Sequence, residues 1–208
     1  MSSVIPSFGQ QTKISVGLLG GSFNPAHEGH VYISKVAMKR LGLDQVWWLV
    51  SPQNPLKSTK EMAPLAERYR QGRDIVRHPR IKVTCLESRL KTQFTQDSLS
   101  ALKKRYPNVR FIWLMGADNL ETFHQWKGWD KIMKMMPICI MHRPKYRLRG
   151  LSGKTACRFA SFRLSTGKAS VLKYQHAPAW VFLPIKGMNI SASEIRQKMK
   201  DENHRNAR

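Results

Sequence analysis

Two histidines three positions apart, His27 and His30, follow a pair of glycines in the string Gly20-Gly21-Ser22-Phe23-Asn24-Pro25-Ala26-His27-Glu28-Gly29-His30. Glycines let the backbone approach a ligand closely. Side chains at this spacing share a face if a helix opens here, so both imidazoles can donate hydrogen bonds to one polyphosphate. The helix start adds unpaired N–H groups and the positive end of its dipole, both favourable to anions. A zinc pair is the poorer reading, because helical zinc motifs of the HExxH kind bring a catalytic Glu that is absent here. The string is also neither GxGxxG nor a P-loop. A second candidate is Asn189-Ile190-Ser191-Ala192-Ser193-Glu194-Ile195-Arg196. Ser191 and Glu194 make an S-x-x-E capping box. A capped helix start is still an anion site, and Arg196 adds a cation one turn in.

The elements that must position these residues are legible as alternating apolar runs and helical stripes. Ile14 to Leu19 reads as a buried strand that meets a turn at Gly20-Gly21. From Glu28 to Leu41, Val31, Ser34, Ala37, Met38 and Leu41 repeat at helical spacing, and Gly42 stops the helix. Val46 to Val50 is a second strand, Ile81 to Cys85 a third, Phe111 to Met115 a fourth, Ile138 to Met141 a fifth and Trp180 to Leu183 a last one. Helices are expected over Pro64 to Val76, with the proline in the first turn, and over Thr95 to Tyr106. Short helices are expected around Asn119 to Phe123 and Trp129 to Met133, and a terminal one over Ser191 to Lys200. Strands apolar throughout, alternating with helices, imply an α/β fold: a Rossmann-like, doubly wound, mostly parallel sheet with helices on both faces. Ligands of such sheets bind beyond the carboxyl ends of the strands, where the first motif lies.

One domain over 14–200 is expected, preceded by a disordered lead-in over 1–13 and followed by a polar tail over 201–208. Within it, 145–175 is basic and weakly periodic and reads as a mobile insertion or loop. The lead-in lacks the charged and apolar regions of a secretory signal, and no apolar run approaches the roughly 20 residues of a membrane span. Cys85, Cys139 and Cys157 form no CxxC pair, which suits reduced thiols in a cytoplasmic protein. Lys and Arg outnumber Asp and Glu by 36 to 13, a formal net charge of +23. No acidic residue lies between Asp130 and Glu194. Such a surface attracts polyanions, and it suits either a nucleic-acid binder or an enzyme of small phosphorylated substrates.

The string GSFNPAHEGH resembles the GxFxPxHxGH signature of the nucleotidylyltransferase superfamily, and ISASEIR resembles its second signature, ISxTxxR, with Ser193 in place of Thr. The resemblance implies that Gly20, Gly21, Ser22, Phe23, His27 and His30 line the ATP site and that Ile190, Ser191, Ser193 and Arg196 bind ATP phosphates. It narrows to the bacterial nicotinate-mononucleotide adenylyltransferases. Ser51-Pro52-Gln53-Asn54-Pro55-Leu56-Lys57 resembles that family's Pro-rich loop with a basic residue. Thr95 in QFTQDSL resembles its Tyr-Thr-x-x-Thr-Leu, with Phe94 and Ser98 substituted. Gly116 and Asp118, then Trp126, resemble its GxDxL…W stretch. Arg143 resembles a family arginine near the nucleotide. The likeness thus assigns Gly116 and Asp118 to ATP, and Asn24, Lys57, Thr95, Trp126 and Arg143 to the pyridine mononucleotide, with Trp126 stacking on the ring. Read from the residues alone, Thr95 is also a candidate N-cap and Trp126 a candidate core aromatic.

The activity implied is transfer of AMP from ATP to nicotinate mononucleotide, releasing pyrophosphate, in NAD biosynthesis. The acceptor phosphate is already ionised, so no general base or covalent intermediate is required. Catalysis then rests on positioning and charge neutralisation by His27, His30, Lys57 and Arg196. No carboxylate cluster flanks the motif, so Mg2+ is expected mainly on the ATP phosphates. Alternatives are adenylyl transfer to nicotinamide mononucleotide or phosphopantetheine and, from another class, nucleic-acid binding. The basic surface allows nonspecific polyanion binding, and monomer and homo-oligomer are both open.

Overall fold

Runs such as Val46-Trp47-Trp48-Leu49-Val50 have no polar side to turn to water, so they are stable only where both faces are covered. The computed structural model describes residues 13–52, 62–92, 94–142, 148–185, 192, 195–197 and 201–202. Its strands are β1 (Ser15–Gly21), β2 (Gln45–Val50), β3 (Ile81–Thr84), β4 (Arg110–Gly116), β5 (Ile138–His142), β6 (Arg163–Leu164) and β7 (Trp180–Pro184). The helices are α1 (Glu28–Leu41), α2 (Leu65–Ile75), α3 (Leu86–Arg89), α4 (Thr95–Arg105), α5 (Ala117–Thr122), α6 (Trp129–Met135) and α7 (Lys154–Arg158). The sheet order is β3-β2-β1-β4-β5-β7-β6, and every described pairing is parallel.

Side chains alternate across a strand, and two apolar layers result. One face gathers Val16, Leu18, Trp47, Leu49, Phe111, Trp113 and Trp180. The other gathers Leu19, Trp48, Val50, Ile112, Leu114, Cys139 and Leu183, with the apolar face of α1. That helix ends as its sequence requires: Gly42 caps it in the left-handed region, with φ 63°. The chain runs outward from β1 through β2 to β3, then returns to the other side of β1 with β4. The carboxyl ends of β1 and β4 therefore flank a switch point, the ligand crevice of such sheets.

Several expectations are corrected. β1 does not stop before the glycines: Gly20 and Gly21 pair with Leu49 and Val50. Gly20 is required there, since a Cβ would stand 2.3 Å from the Trp113 ring. The expected parallel doubly wound sheet is present, and all of its described pairs are parallel. Thr95 is the first residue of α4 and not its N-cap, which is Phe94. The short helix α3 was not expected.

The expected mobile loop over 145–175 is, from residue 148 onward, a series of short elements. Helical turns at Leu148–Ser152, Ala160–Phe162 and Thr166–Tyr174 alternate with α7 and the edge strand β6. Thr155, Phe159 and Leu172 are buried, and Trp180 donates its indole N–H to the Phe159 carbonyl at 2.7 Å. Single turns never repeat an apolar stripe long enough to register as periodicity. Residues 201–202, expected in the polar tail, are helical. Among the described residues, no helix is long and apolar enough to cross a membrane.

Candidate functional site

His27 is the N-cap of α1, with extended backbone at φ −150° and ψ 165°. Its backbone N–H donates to His30 Nδ1 at 3.2 Å, and the His30 N–H donates to the His27 carbonyl at 2.8 Å. The two rings lie 3.8 Å apart between centroids. The acceptor role of Nδ1 leaves the His30 ring proton on Nε2, the orientation needed to donate to an anion. The predicted shared face is thus present, set by the helix start itself.

Aromatic packing holds this pair from beneath. Phe23 stacks on Trp48 at 4.8 Å and 11°, and sits 4.9 Å from the His30 ring. Trp48, fully buried in β2, donates its indole N–H to Ser34 Oγ at 2.8 Å, and Ser34 donates on to the His30 carbonyl at 2.8 Å. Phe23 adopts φ 48°, the left-handed region that costs a side-chain-bearing residue strain. Its stacking offsets that cost and keeps the loop in one shape.

Arg196, from the far end of the chain, donates through Nη1 to the Asn24 carbonyl at 2.5 Å. The Asn24 side chain accepts from the Ala63 N–H at 3.2 Å. Asn24 therefore joins the first motif to both the second motif and the entry to α2.

On the other side of the switch point, Gly116 is the N-cap of α5, and a Cβ there would lie 2.3 Å from Asp118 Oδ1. The glycine lets the Asp118 carboxylate fold back over the end of β4. Thr95 and Trp126, both expected at the acceptor, lie on segments that touch. Lys127 Nζ lies 4.1 Å from the centre of the Phe94 ring, and Gln96 packs on the Gly128 backbone. The start of α4, which carries Thr95, is thereby pressed against the segment that carries Trp126. Trp126 is half-buried on Phe123, with ring centroids 5.2 Å apart, so it belongs partly to the core as well. Lys57, Arg143, Ile190, Ser191 and Ser193 lie outside the described residues.

Two buried charged residues connect these parts, and sequence reasoning missed both. Glu87 accepts from Ser98 Oγ at 3.1 Å and bonds to the Ser51 side chain. It thus ties the end of β2 to α4, one turn from Thr95. Burial raises its pKa above the ordinary glutamate value, and the two serine bonds oppose that shift. Arg68, on α2, is 1% exposed and donates to the backbone carbonyls of Ala63, Ser22, Ser51 and Pro52. Burial lowers its pKa, though an arginine stays protonated. A signal existed: Leu65, Arg68, Gly72 and Ile75 fall at helical spacing, which puts one cation on an otherwise apolar stripe.

A family model described as cytidylyltransferase-like matches residues 18–198. The chain belongs to the cytidylyltransferase-like family. This cytidylyltransferase-like chain is 51% identical over 181 residues to a probable nicotinate-nucleotide adenylyltransferase of Cereibacter sphaeroides, covering 87% of the chain and 95% of the relative. It is 46% identical over 187 residues to a protein of the same description from Mesorhizobium japonicum, covering 90% and 96%. In fold it is similar to the Plasmodium falciparum nicotinic acid mononucleotide adenylyltransferase complexed with NaAD. The TM-score is 0.67 at 18% identity, over 88% of this chain and 83% of that one. The same Plasmodium protein complexed with APC gives a TM-score of 0.65. The cytidylyltransferase-like match spans both motifs, which the fold brings together at Asn24 and Arg196.

Proposed function

We propose that the chain transfers the adenylyl group of ATP to nicotinate mononucleotide, forming nicotinate adenine dinucleotide and pyrophosphate. The observation that carries the site reading is the bond from Arg196 to Asn24, which closes the second motif onto the histidine loop. The relatives' descriptions support the reaction and its substrates. These are soluble nucleotides, which suits a cytoplasmic enzyme of NAD biosynthesis.

In this reading an oxygen of the acceptor's phosphate attacks the α-phosphorus of ATP in line. A P–O bond forms to the acceptor as the bond to the β-phosphate oxygen breaks, and the electron pair leaves on pyrophosphate. The nucleophile is an anion, so no proton need be removed. His30 donates from Nε2 to the α-phosphate. His27, Arg196 and Lys57 neutralise charge on the remaining phosphates, with Gly20 to Phe23 and Asp118 around the nucleotide. Trp126, Thr95, Asn24 and Arg143 bound the acceptor. Among the described residues no group of three or more His, Cys, Asp or Glu is placed to hold a metal. In this reading Mg2+ enters as the MgATP substrate, held mainly by the ATP phosphates.

Pyrophosphate release with MgATP tests this, comparing nicotinate mononucleotide, nicotinamide mononucleotide and phosphopantetheine at matched concentrations. Preference for the nicotinate compound is expected. Preference for either other acceptor would reject the proposed substrate, and no release with any acceptor from folded protein would reject the activity.

A further inference from the structure

We propose that Arg68 is a positioning residue that fixes the distance between the histidine loop after β1 and the loop that follows β2, and so governs the transfer step rather than the binding of either substrate. The inference rests on the reading of the site given above, in which the first loop carries ATP phosphates and the second leads to the acceptor contact Lys57.

Burying a guanidinium is costly unless its hydrogen bonds are met. An aliphatic side chain would complete the inward stripe of α2 without that cost. Here the guanidinium is 1% exposed, and its bonds go to carbonyls at the ends of three segments. Nη1 donates to Ser22 at 2.6 Å and to Ser51 at 2.8 Å, Nη2 to Pro52 at 3.1 Å, and Nε to Ala63 at 2.8 Å. The only ion pair among the described residues is Lys134 with Asp130, so Arg68 has no carboxylate bridge there. Its partners are peptide groups whose positions define the loops.

The ladder between β1 and β2 ends where this fork begins. The last backbone bond joins the Ser51 N–H to the Gly21 carbonyl at 2.9 Å. One residue further along β1, the strands no longer hold each other, and a single nitrogen of Arg68 spans Ser22 and Ser51. A planar fork holds its acceptors at fixed spacing, whereas an ammonium on a flexible stem does not. The proposed reaction must bring two anions into line across this gap. A misplacement of about 1 Å is enough to cost roughly 10²-fold in rate.

The test uses the full chain with Arg68→Lys and Arg68→Gln, beside two controls. His30→Ala reports on the site reading. Leu172→Ala, at a buried position on the Thr166–Tyr174 turn, reports on loss of stability alone. Measured are kcat per folded molecule well below the unfolding midpoint, the KM for ATP and for nicotinate mononucleotide, and thermal unfolding. Both Arg68 variants are expected to lose about 10²-fold in kcat with each KM changed less than about 3-fold, as expected when an interaction specific to the transition state is lost. Leu172→Ala is expected to keep kcat per folded molecule. Full kcat in folded Arg68→Lys would overturn the proposal, and so would a rise in KM at unchanged kcat. Failure of both Arg68 variants to fold would also overturn it, by assigning the residue to the fold. If His30→Ala is also fully active, the site reading falls. If His30→Ala is impaired while Arg68→Lys is not, only the present inference falls.

Discussion

Arg196 Nη1 and the Asn24 carbonyl oxygen, 172 positions apart in sequence, are hydrogen-bonded. The contact ties the second motif to the first loop. Arg196→Ala removes a charge-assisted bond of about 1.5–3 kcal/mol together with the cation proposed to neutralise ATP phosphate. Pyrophosphate release should fall by about 10²-fold. Arg196→Lys, which keeps the charge but not the fork, should recover only part of it. Steady-state kinetics of both variants check this.

The two histidines should separate by experiment. His30→Ala removes the Nε2 donor, and its kcat is expected to drop by about 10²–10³-fold, as when an oxyanion donor is lost. His27 is also an N-cap, a position that serine fills well. His27→Ser should therefore unfold at the same temperature as the parent, or higher, while losing transfer rate. Calorimetry beside kinetics reads both, and equal activity in His27→Ser would remove that imidazole from the phosphate site.

Glu87 predicts a pH dependence of stability. Its folded pKa is raised by burial, so between its ordinary and its raised value the native state holds more proton than the unfolded chain. Stability contributed by this group therefore falls as pH rises through that window and levels off above the folded pKa. Glu87→Gln removes the titration and keeps groups able to bond Ser51 and Ser98. The variant's unfolding midpoint should gain on the parent's over the range in which pH rises above the ordinary glutamate value. A constant difference across that range would show that the carboxyl does not titrate differently on folding.

Gly20 and Trp113 should be coupled. A Cβ at Gly20 would sit 2.3 Å from the Trp113 ring, and Gly20→Ala is expected to cost about 1–3 kcal/mol by overpacking. The Trp113 indole N–H is buried without a hydrogen-bond partner, so Trp113→Phe sacrifices no polar contact. The double variant should be more stable than the sum of the single effects, as urea unfolding of all four proteins would report.

The sheet was legible because strands covered on both faces must be apolar throughout, and Val46 to Val50 can be little else. The stripe of α1 and its Gly42 stop were legible for the same reason, since local pattern and burial coincide there. The first motif was readable from residue type and spacing, and the structure adds that Nδ1 of His30 is bound by the helix start. Arg68 and Glu87 were not read. Their partners are backbone carbonyls and serine side chains brought in from other segments of the chain, and no local pattern marks such groups. The Thr166–Tyr174 turn was missed because it is anchored by Ala169 and Leu172, too few residues to establish a period. Trp48 was read as strand and core only, although it also supports His30 through Ser34.

The place of β1 in the sheet order bears on how the protein is born. Among the described strands this one leaves the ribosome first, yet its two edges are filled by β2 and by β4. The second edge stays bare until Arg110 and the residues after it have been made. At roughly 5–20 residues per second, that wait lasts on the order of 5–20 s. During it the nascent chain presents an apolar strand with unpaired N–H and C=O groups, the kind of edge that recruits other chains. Slowing translation between Val50 and Arg110 should therefore lower soluble yield far more than slowing it after Pro184.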